Sequence, residues 1–363
     1  MSESYANIVK VGSLLVGGLF IGYVTKKMLE NKNKKSQKER YFVGIDLGAT
    51  NAKVGVVNDN GELISVVSEP LSDYSDMGVV KSLVDVSSKA ISEVGLKWSD
   101  ICEIGVGSPG TIDFENGIVI KASNFPTWDH VPLAKLIEDR TGVRTILEND
   151  ANAACAAECW VGTGKGKQNM VMITLGSGIG AGLVVNGRII HGSSGWAGEP
   201  GHAIYKVNGT QCGCGQKGCF EKYASANGLV LVAKQYLEEH PEEESVLRSE
   251  EELTAKRVMD AAKEGDKVAD TCVEVAAEAL GVCCVNLCRV LDPDLIVFSG
   301  GLALSGDFLL KKIEKHFRAY HWTIQEPACT LIISQSGEKT GMIGAAAVAR
   351  MDYLNSTVCS ISV

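Results

Sequence analysis

The chain has 363 residues, 45% hydrophobic and 22% charged, a globular composition long enough for two domains. Its net charge of −9 conceals a basic start: residues 1–40 carry a net +5, and the remaining −14 argues against nucleic acid as a partner. Twelve cysteines, three of them clustered at 212–219 and others in apolar helical surroundings, do not make a secreted disulfide framework; they read as reduced core thiols plus one metal site.

Residues 1–40 are expected to form a single apolar membrane anchor and a basic tether. No residue from Val11 to Val24 is charged, and Lys10 is the only charge from Tyr5 to Thr25. The uncharged core is short for a bilayer, but the wider window spans it if Lys10 snorkels. Gly18 and Gly22 have the small-residue spacing of close helix packing. The lysines that follow predict, by the positive-inside rule, a domain facing the cytosol, at the mitochondrial outer membrane or the endoplasmic reticulum. Three other readings stand beside this one. A signal peptide lacks a small-residue cleavage site here, and a mitochondrial presequence would be less apolar and contain arginine. An amphipathic leader would leave the protein soluble in the cytoplasm.

At Tyr41 the composition changes. Tyr41 to Val57 reads as strand, glycine turn, strand, around Asp46-Leu47-Gly48-Ala49-Thr50-Asn51. Asn58-Asp59-Asn60-Gly61 turns the chain into a third strand, Leu63 to Ser68. Residues 78–94 have helical spacing, and Ile101 to Val106 is a buried strand before the turn Gly107-Ser108-Pro109-Gly110. A short strand, Gly117 to Lys121, leads to Asn124-Phe125-Pro126. Pro132 to Thr141 is helical, Thr145 to Leu147 is a strand running into Glu148-Asn149-Asp150, and Ala151 to Trp160 is an alanine-rich helix.

The first pattern then returns. Asn169 to Val185 is strand, glycine turn, strand around Thr174-Leu175-Gly176-Ser177-Gly178, and Asn186-Gly187 turns into Arg188-Ile189-Ile190. Two such hairpins facing each other can grip a polyphosphate through backbone N–H groups, although either alone is simply a tight turn. Next come Glu199-Pro200-Gly201-His202 and the string Cys212-Gly213-Cys214-Gly215-Gln216-Lys217-Gly218-Cys219-Phe220-Glu221. A helix is predicted from Ala224 to Glu239, a charged loop to Glu252, and helices over Leu253–Glu264 and Lys267–Leu291. The strand Leu295 to Phe298 ends in Ser299-Gly300-Gly301; Phe308–Tyr320 is helical, Thr330–Ser334 a strand and Gly341–Met351 a small-residue helix.

Asp46-x-Gly48-x-Thr50, the Gly176–Gly182 run, Glu199-x-Gly201-His202 and the Cys-x-Cys-Gly-x-x-Gly-Cys-x-Glu string resemble the ROK family of sugar kinases and repressors, from about Tyr41 to Met351. Glu148 to Ala154 and Cys219 to Ser225 look most like its ATP-dependent glucokinases. The resemblance implies an α/β actin-like ATPase (ribonuclease H-like) fold with the active site in the cleft between two lobes. The lobes would be residues 41–150, with the helix near 341–351 packing back on them, and residues 151–340 carrying a zinc loop. It also implies a homodimer.

By the same resemblance Asp150 is the general base that takes the proton of a hexose 6-hydroxyl as its oxygen attacks the γ-phosphate. Asn149 would fix neighbouring hydroxyls, although Asn149 and Asp150 also suit a cap on the Ala151 helix. Gly48, Thr50 and Asn51 look like the first phosphate loop, with Asp46 orienting hydrated Mg²⁺ and Lys53 nearby. Thr174, Gly176, Ser177 and Gly178 look like the second loop, and Gly300 and Gly301 like the adenosine-contacting turn. Glu199, Glu221 and His202 are implied sugar contacts, as are Asn124 and Gly110, whose plainer reading is two turns. His202, Cys212, Cys214 and Cys219 have the spacing His-x9-Cys-x-Cys-x4-Cys, which suits a closed structural Zn²⁺. Pro200 departs from the aliphatic residue more usual at that place and bears on sugar preference.

The expected activity is transfer of phosphate from Mg-ATP to the 6-hydroxyl of a hexose, most simply glucose. A kinase for another hexose or an N-acetylhexosamine such as N-acetylmannosamine, and a membrane-tethered sugar sensor of the same fold, are the alternatives. A repressor of the family would need a helix-turn-helix domain where this chain has the apolar segment.

Overall fold

Phe42-Val43-Gly44-Ile45 gives β1 (Tyr41–Leu47) no polar face, as befits a strand covered on both sides. The computed structural model describes residues 39–359 except 123, 326, 327, 336 and 338; the predicted anchor lies outside the described residues. β1 is the middle of a five-stranded sheet ordered β3 (Leu63–Pro70), β2 (Asn51–Asn58), β1, β4 (Ile101–Gly107), β7 (Thr145–Glu148). The β1–β2–β3 meander is antiparallel, and β1, β4 and β7 run parallel.

The second sheet repeats the plan. Its order is β10 (Arg188–Ile189), β9 (Ile179–Val185), β8 (Met170–Leu175), β11 (Leu295–Ser299), β12 (Thr330–Ile333), with β8, β11 and β12 parallel. A separate ribbon pairs β5 (Thr111–Asp113) with β6 (Ile118–Lys121). The sequence shows no β5, because three residues carry no readable alternation.

α1 (Asp76–Glu93), capped by Ser75, and α2 (Leu133–Thr141) cover one face of the first sheet. The core there gathers Val43, Leu83, Ile104, Phe125 and Leu147. The second sheet is covered by α4 (Glu221–Ala224), α5 (Ala226–Glu239), α6 (Ala255–Lys263), α7 (Lys267–Leu291) and α8 (Asp307–Tyr320). Phe220, Leu280, Phe298 and Ile313 are fully buried in that core. Among the described residues α7 alone is long and apolar enough to cross a membrane, yet it is the central helix of this core. Its Cys272, Cys283 and Cys284 are buried thiols, and none of the described cysteines forms a disulfide.

α3 (Asp150–Trp160) and α9 (Thr340–Cys359) lie between the sheets: α9 on β1 and β4, α3 on β9, and each on the other. The helices sit so close because the facing residues are glycine and alanine. A Cβ at Gly105 would stand 1.8 Å from Ala345 O, and one at Gly344 would stand 2.1 Å from Ala153 O. Gly105→Ala therefore forces α9 off the sheet, at a cost of about 3 kcal/mol. A fall in melting temperature is expected, and an unchanged melt would put α9 farther from β4. α9 also continues past the predicted end at Met351. Tertiary contacts account for the extension: Asp352 pairs with Arg144 at 2.9 Å, and Tyr353 meets Phe42 edge-on.

Candidate active site and metal centre

The parallel strands of the first sheet bring three predicted positions into one row. Asp46 on β1 is in register with Gly107 on β4, and Gly107 with Glu148 on β7. The glycine hairpin after β1, the Gly107–Gly110 turn and the Asn149-Asp150 turn thus leave the same carboxyl edge, where open α/β sheets place their ligands. Ser108 N–H donates to Glu148 O at 2.8 Å and ties the last two turns together.

Asp46 is half-buried. Burial raises its carboxyl above the usual range; Lys53, its register partner on β2, opposes this, and the charge of Asp150 adds to it. The backbone of Gly341, in the first turn of α9, comes so near that a Cβ there would meet the Asp46 carboxylate at 2.7 Å. A half-buried carboxylate at a strand end next to a glycine hairpin suits the orientation of a hydrated Mg²⁺. The hairpin is closed by Gly48 N–H donating to Asn51 O at 3.0 Å, and Thr50 lies exposed at its tip.

Asn149 is the cap residue of α3. Its Oδ1 caps α3 by accepting from Asn152 N at 2.7 Å, which leaves its amide N–H groups for a ligand. Asp150 is exposed at the first position of α3 and accepts from Ala151 N at 2.8 Å. Gly110 takes φ +108 where a Cβ would meet Lys121 O at 2.2 Å, so the turn itself requires glycine. Asn124 is an exposed turn residue beside Phe125, which is buried and stacked on Trp128.

On the second sheet Thr174 and Ser299 are in register, so the Gly176–Gly178 loop and the Gly300-Gly301 turn leave neighbouring strand ends. Gly300, at φ +89, lies so close to the Leu175 backbone that a Cβ there would stand 2.6 Å from the Leu175 carbonyl oxygen. Ser177 is exposed at the hairpin tip, and Gly176 O accepts from Ala226 N at the start of α5. Glu221 joins this hairpin to the Cys loop: its Oε2 accepts from Ile179 N at 3.3 Å, and its Oε1 lies 3.8 Å from Cys212 Sγ. Partial desolvation raises the Glu199 carboxyl, His202 opposes, and Glu221 adds to the rise. Those three side chains therefore share one space. Pro200 opens the 3₁₀ turn Pro200–His202 that carries His202 into it.

The donor atoms of His202, Cys212, Cys214 and Cys219 all lie within 4.8 Å of one another. Zn–S bonds of about 2.3 Å in a tetrahedron require S···S edges of about 3.8 Å. Cys214 Sγ and Cys219 Sγ are 3.6 Å apart, and Cys212 Sγ is 3.8 Å from His202 Nδ1. The set fits Zn²⁺, with Nδ1 on the metal side. The Gln216 backbone N–H lowers the Cys214 thiol, while burial and the neighbouring thiols raise that of Cys219, so the second thiolate needs a cation beside it.

Two functional candidates escape sequence reasoning. Glu148 is buried, accepts from Asn149 N and Asn152 Nδ2, and lies 2.7 Å from His191 Nε2. His191 stacks on Phe114 of the β5–β6 ribbon. No spacing signal links positions so far apart in the chain.

Two sheets, each a meander continued by parallel strands, packed around the α3–α9 pair, are the actin-like ATPase fold. The ROK family profile matches residues 42–352, and the chain belongs to the ROK family. The glucokinase of Halalkalibacterium halodurans is 37% identical over 311 residues, covering 84% of this chain and 94% of its own length. The ROK hexokinase of Thermus thermophilus superposes with a TM-score of 0.75 at 29% identity, over 88% of this chain and all of its own. A ROK family glucokinase from Streptomyces griseus, crystallised with glucose and AMPPNP, gives 0.65 at 32% identity over 85% and 99%.

Proposed function

We propose that this protein is an ATP-dependent hexose 6-kinase acting first on glucose. The observation that carries the proposal is Asp150: an exposed carboxylate at a helix start, beside Asp46, on the edge where the first glycine hairpin emerges. The glucose and AMPPNP held by the S. griseus relative support the same substrates here.

In the proposed mechanism the N–H groups around Gly48, Thr50 and Asn51 hold the phosphates from one side. Those around Thr174, Gly176, Ser177 and Gly178 hold them from the other. Gly300 and Gly301 border the adenosine. Mg²⁺, oriented through Asp46, supplies neutralising charge to the phosphates when bound. Lys53 tempers the charge of Asp46 and keeps it available. Glu199, Glu221 and His202 Nε2 accept or donate to the sugar hydroxyls, with Asn124 and Gly110 on the opposite rim. Asn149 donates its amide N–H groups to a hydroxyl next to the reacting one. Asp150 takes the 6-hydroxyl proton as the oxygen attacks the γ-phosphorus and the bond to ADP breaks. Closure of lobe 151–340 on lobe 41–150 excludes water from that step. The zinc loop fixes Glu199 and Glu221 and takes no part in the chemistry, because four protein ligands leave no open position.

Residues 1–40 are proposed to tether the protein to a membrane, on their charge and hydropathy, and the family resemblance points to a homodimer. One experiment addresses substrate and tether together. The fragment from Arg40 onward is assayed with Mg-ATP and glucose, mannose, fructose, N-acetylglucosamine and N-acetylmannosamine. A strong preference for glucose in soluble protein is expected. Equal turnover of glucose and N-acetylmannosamine would end the glucose assignment. Continued membrane fractionation would place the anchor elsewhere, and no turnover of any sugar would favour the sensor.

A further inference from the structure

Glu148 is 1% exposed and precedes the Asn149-Asp150 turn. Its Oε1 accepts from Asn149 N and from Asn152 Nδ2, both at 2.9 Å, so one oxygen holds the first turn of α3 from below. Its other oxygen lies 2.7 Å from His191 Nε2. An ionised carboxylate only accepts, so the imidazole proton on Nε2 points at Glu148.

His191 belongs to the second sheet's side of the molecule, following β10. Its ring lies flat on Phe114, centroids 4.1 Å apart and planes 25° apart. Its carbonyl accepts from Ala197 N at 3.0 Å, within the loop that ends at Glu199. Within that loop a Cβ at Gly195, φ +77, would stand 3.3 Å from the Phe114 ring. His191 thus touches three elements: its ring meets the strand end before the base and the ribbon after Gly110, and its backbone carbonyl holds the loop before Glu199.

We infer that His191 is a positioning residue, whose Nε2–H donated to buried Glu148 holds the Asn149-Asp150 turn in register with the Glu199 loop. The inference rests on the phosphotransfer proposed above. A base on one sheet and sugar ligands on the other must keep their spacing through the reaction, and a displacement of about 1 Å can cost about 100-fold in rate. A bond between the two sides, buried at its Glu148 end and one residue from the turn, resists that displacement.

Two variants separate the hydrogen bond from the stacking. H191F keeps a ring on Phe114 and loses the donor; H191Q loses the ring and brings an amide N–H to the place of Nε2. H191F is expected to lower kcat about 10- to 100-fold with the KM for ATP within about threefold, and H191Q to restore kcat to within about threefold of wild type. In the H191F/E148Q double variant the losses should not add, because both residues act through one bond. Equal losses in H191F and H191Q, or no loss in H191F, overturn the inference. Should phenylalanine unfold the chain, the near-isosteric E148Q carries the same kcat test. The imidazole ¹⁵N spectrum of the wild type is read independently of activity: a protonated Nε2 is expected, and a bare Nε2 overturns the link. A wild type that phosphorylates no sugar while showing protonated Nε2 overturns the kinase assignment instead.

Discussion

Asp150→Asn is expected to lower kcat for glucose about 10³-fold while glucose still binds within about fivefold of wild type. The change removes the proton acceptor and keeps the volume of the side chain. Asp150 is exposed, and its bond to Ala151 N is one that asparagine oxygen can also make. The fold has little to lose: an acidic group in a first helical turn contributes about 0.3–1 kcal/mol, screened by solvent. Stability and sugar binding should therefore survive while the chemistry fails. Coupled-assay kcat and calorimetric glucose binding, measured on the same preparation, check this. A variant turning over at near wild-type rate would remove Asp150 as the base. Loss of binding together with rate would mean that it acts mainly as a sugar ligand.

Cys214→Ser is expected to lose zinc and to lower the melting temperature by roughly 10 °C, from about 4 kcal/mol of lost metal binding spread over a domain of this size. The four donors come from a short hairpin and one 3₁₀ turn. Cys212 N–H to Gln216 O, at 2.8 Å, and the Gln211–Lys217 bridge close the hairpin, while Gln216 Nε2–H to His202 O at 3.3 Å, Phe220 N–H to Ala203 O at 3.0 Å and the Ile204–Cys219 bridge join it to the backbone of the His202 turn. Without the metal, the His202 ring loses its side-chain tie to the Cys loop that leads to Glu221, so the KM for sugar should rise more than the KM for ATP. Metal analysis and thermal melting decide the matter. Full zinc content with an unchanged melt would show that the cluster is a set of ordinary thiols.

Both predictions start from features readable in the sequence because they are local. The hairpins around Gly48 and Gly176 announce themselves through glycine between β-branched runs, and the strands and helices fall close to where the pattern puts them. The His202 and Cys ligands are likewise close in sequence, so chelate spacing is legible. Helix ends fare less well. α9 extends to Cys359 because Asp352 and Tyr353 find partners on the first sheet, and no end signal of its own stops it earlier. The ribbon strand β5 is too short for any period to reveal.

Candidates for phosphate, sugar and metal contacts are legible in the chain because glycine turns, cap residues and thiol spacing act over a few bonds. That Asp46, Gly107 and Glu148 share one row, that Gly341 lies against Asp46, and that His191 bonds Glu148 emerges from the folded molecule alone. Strand register and the seating of α9 on Gly105 set those contacts. They arise from packing of backbone on backbone between segments remote in the chain, where no local periodicity carries the information.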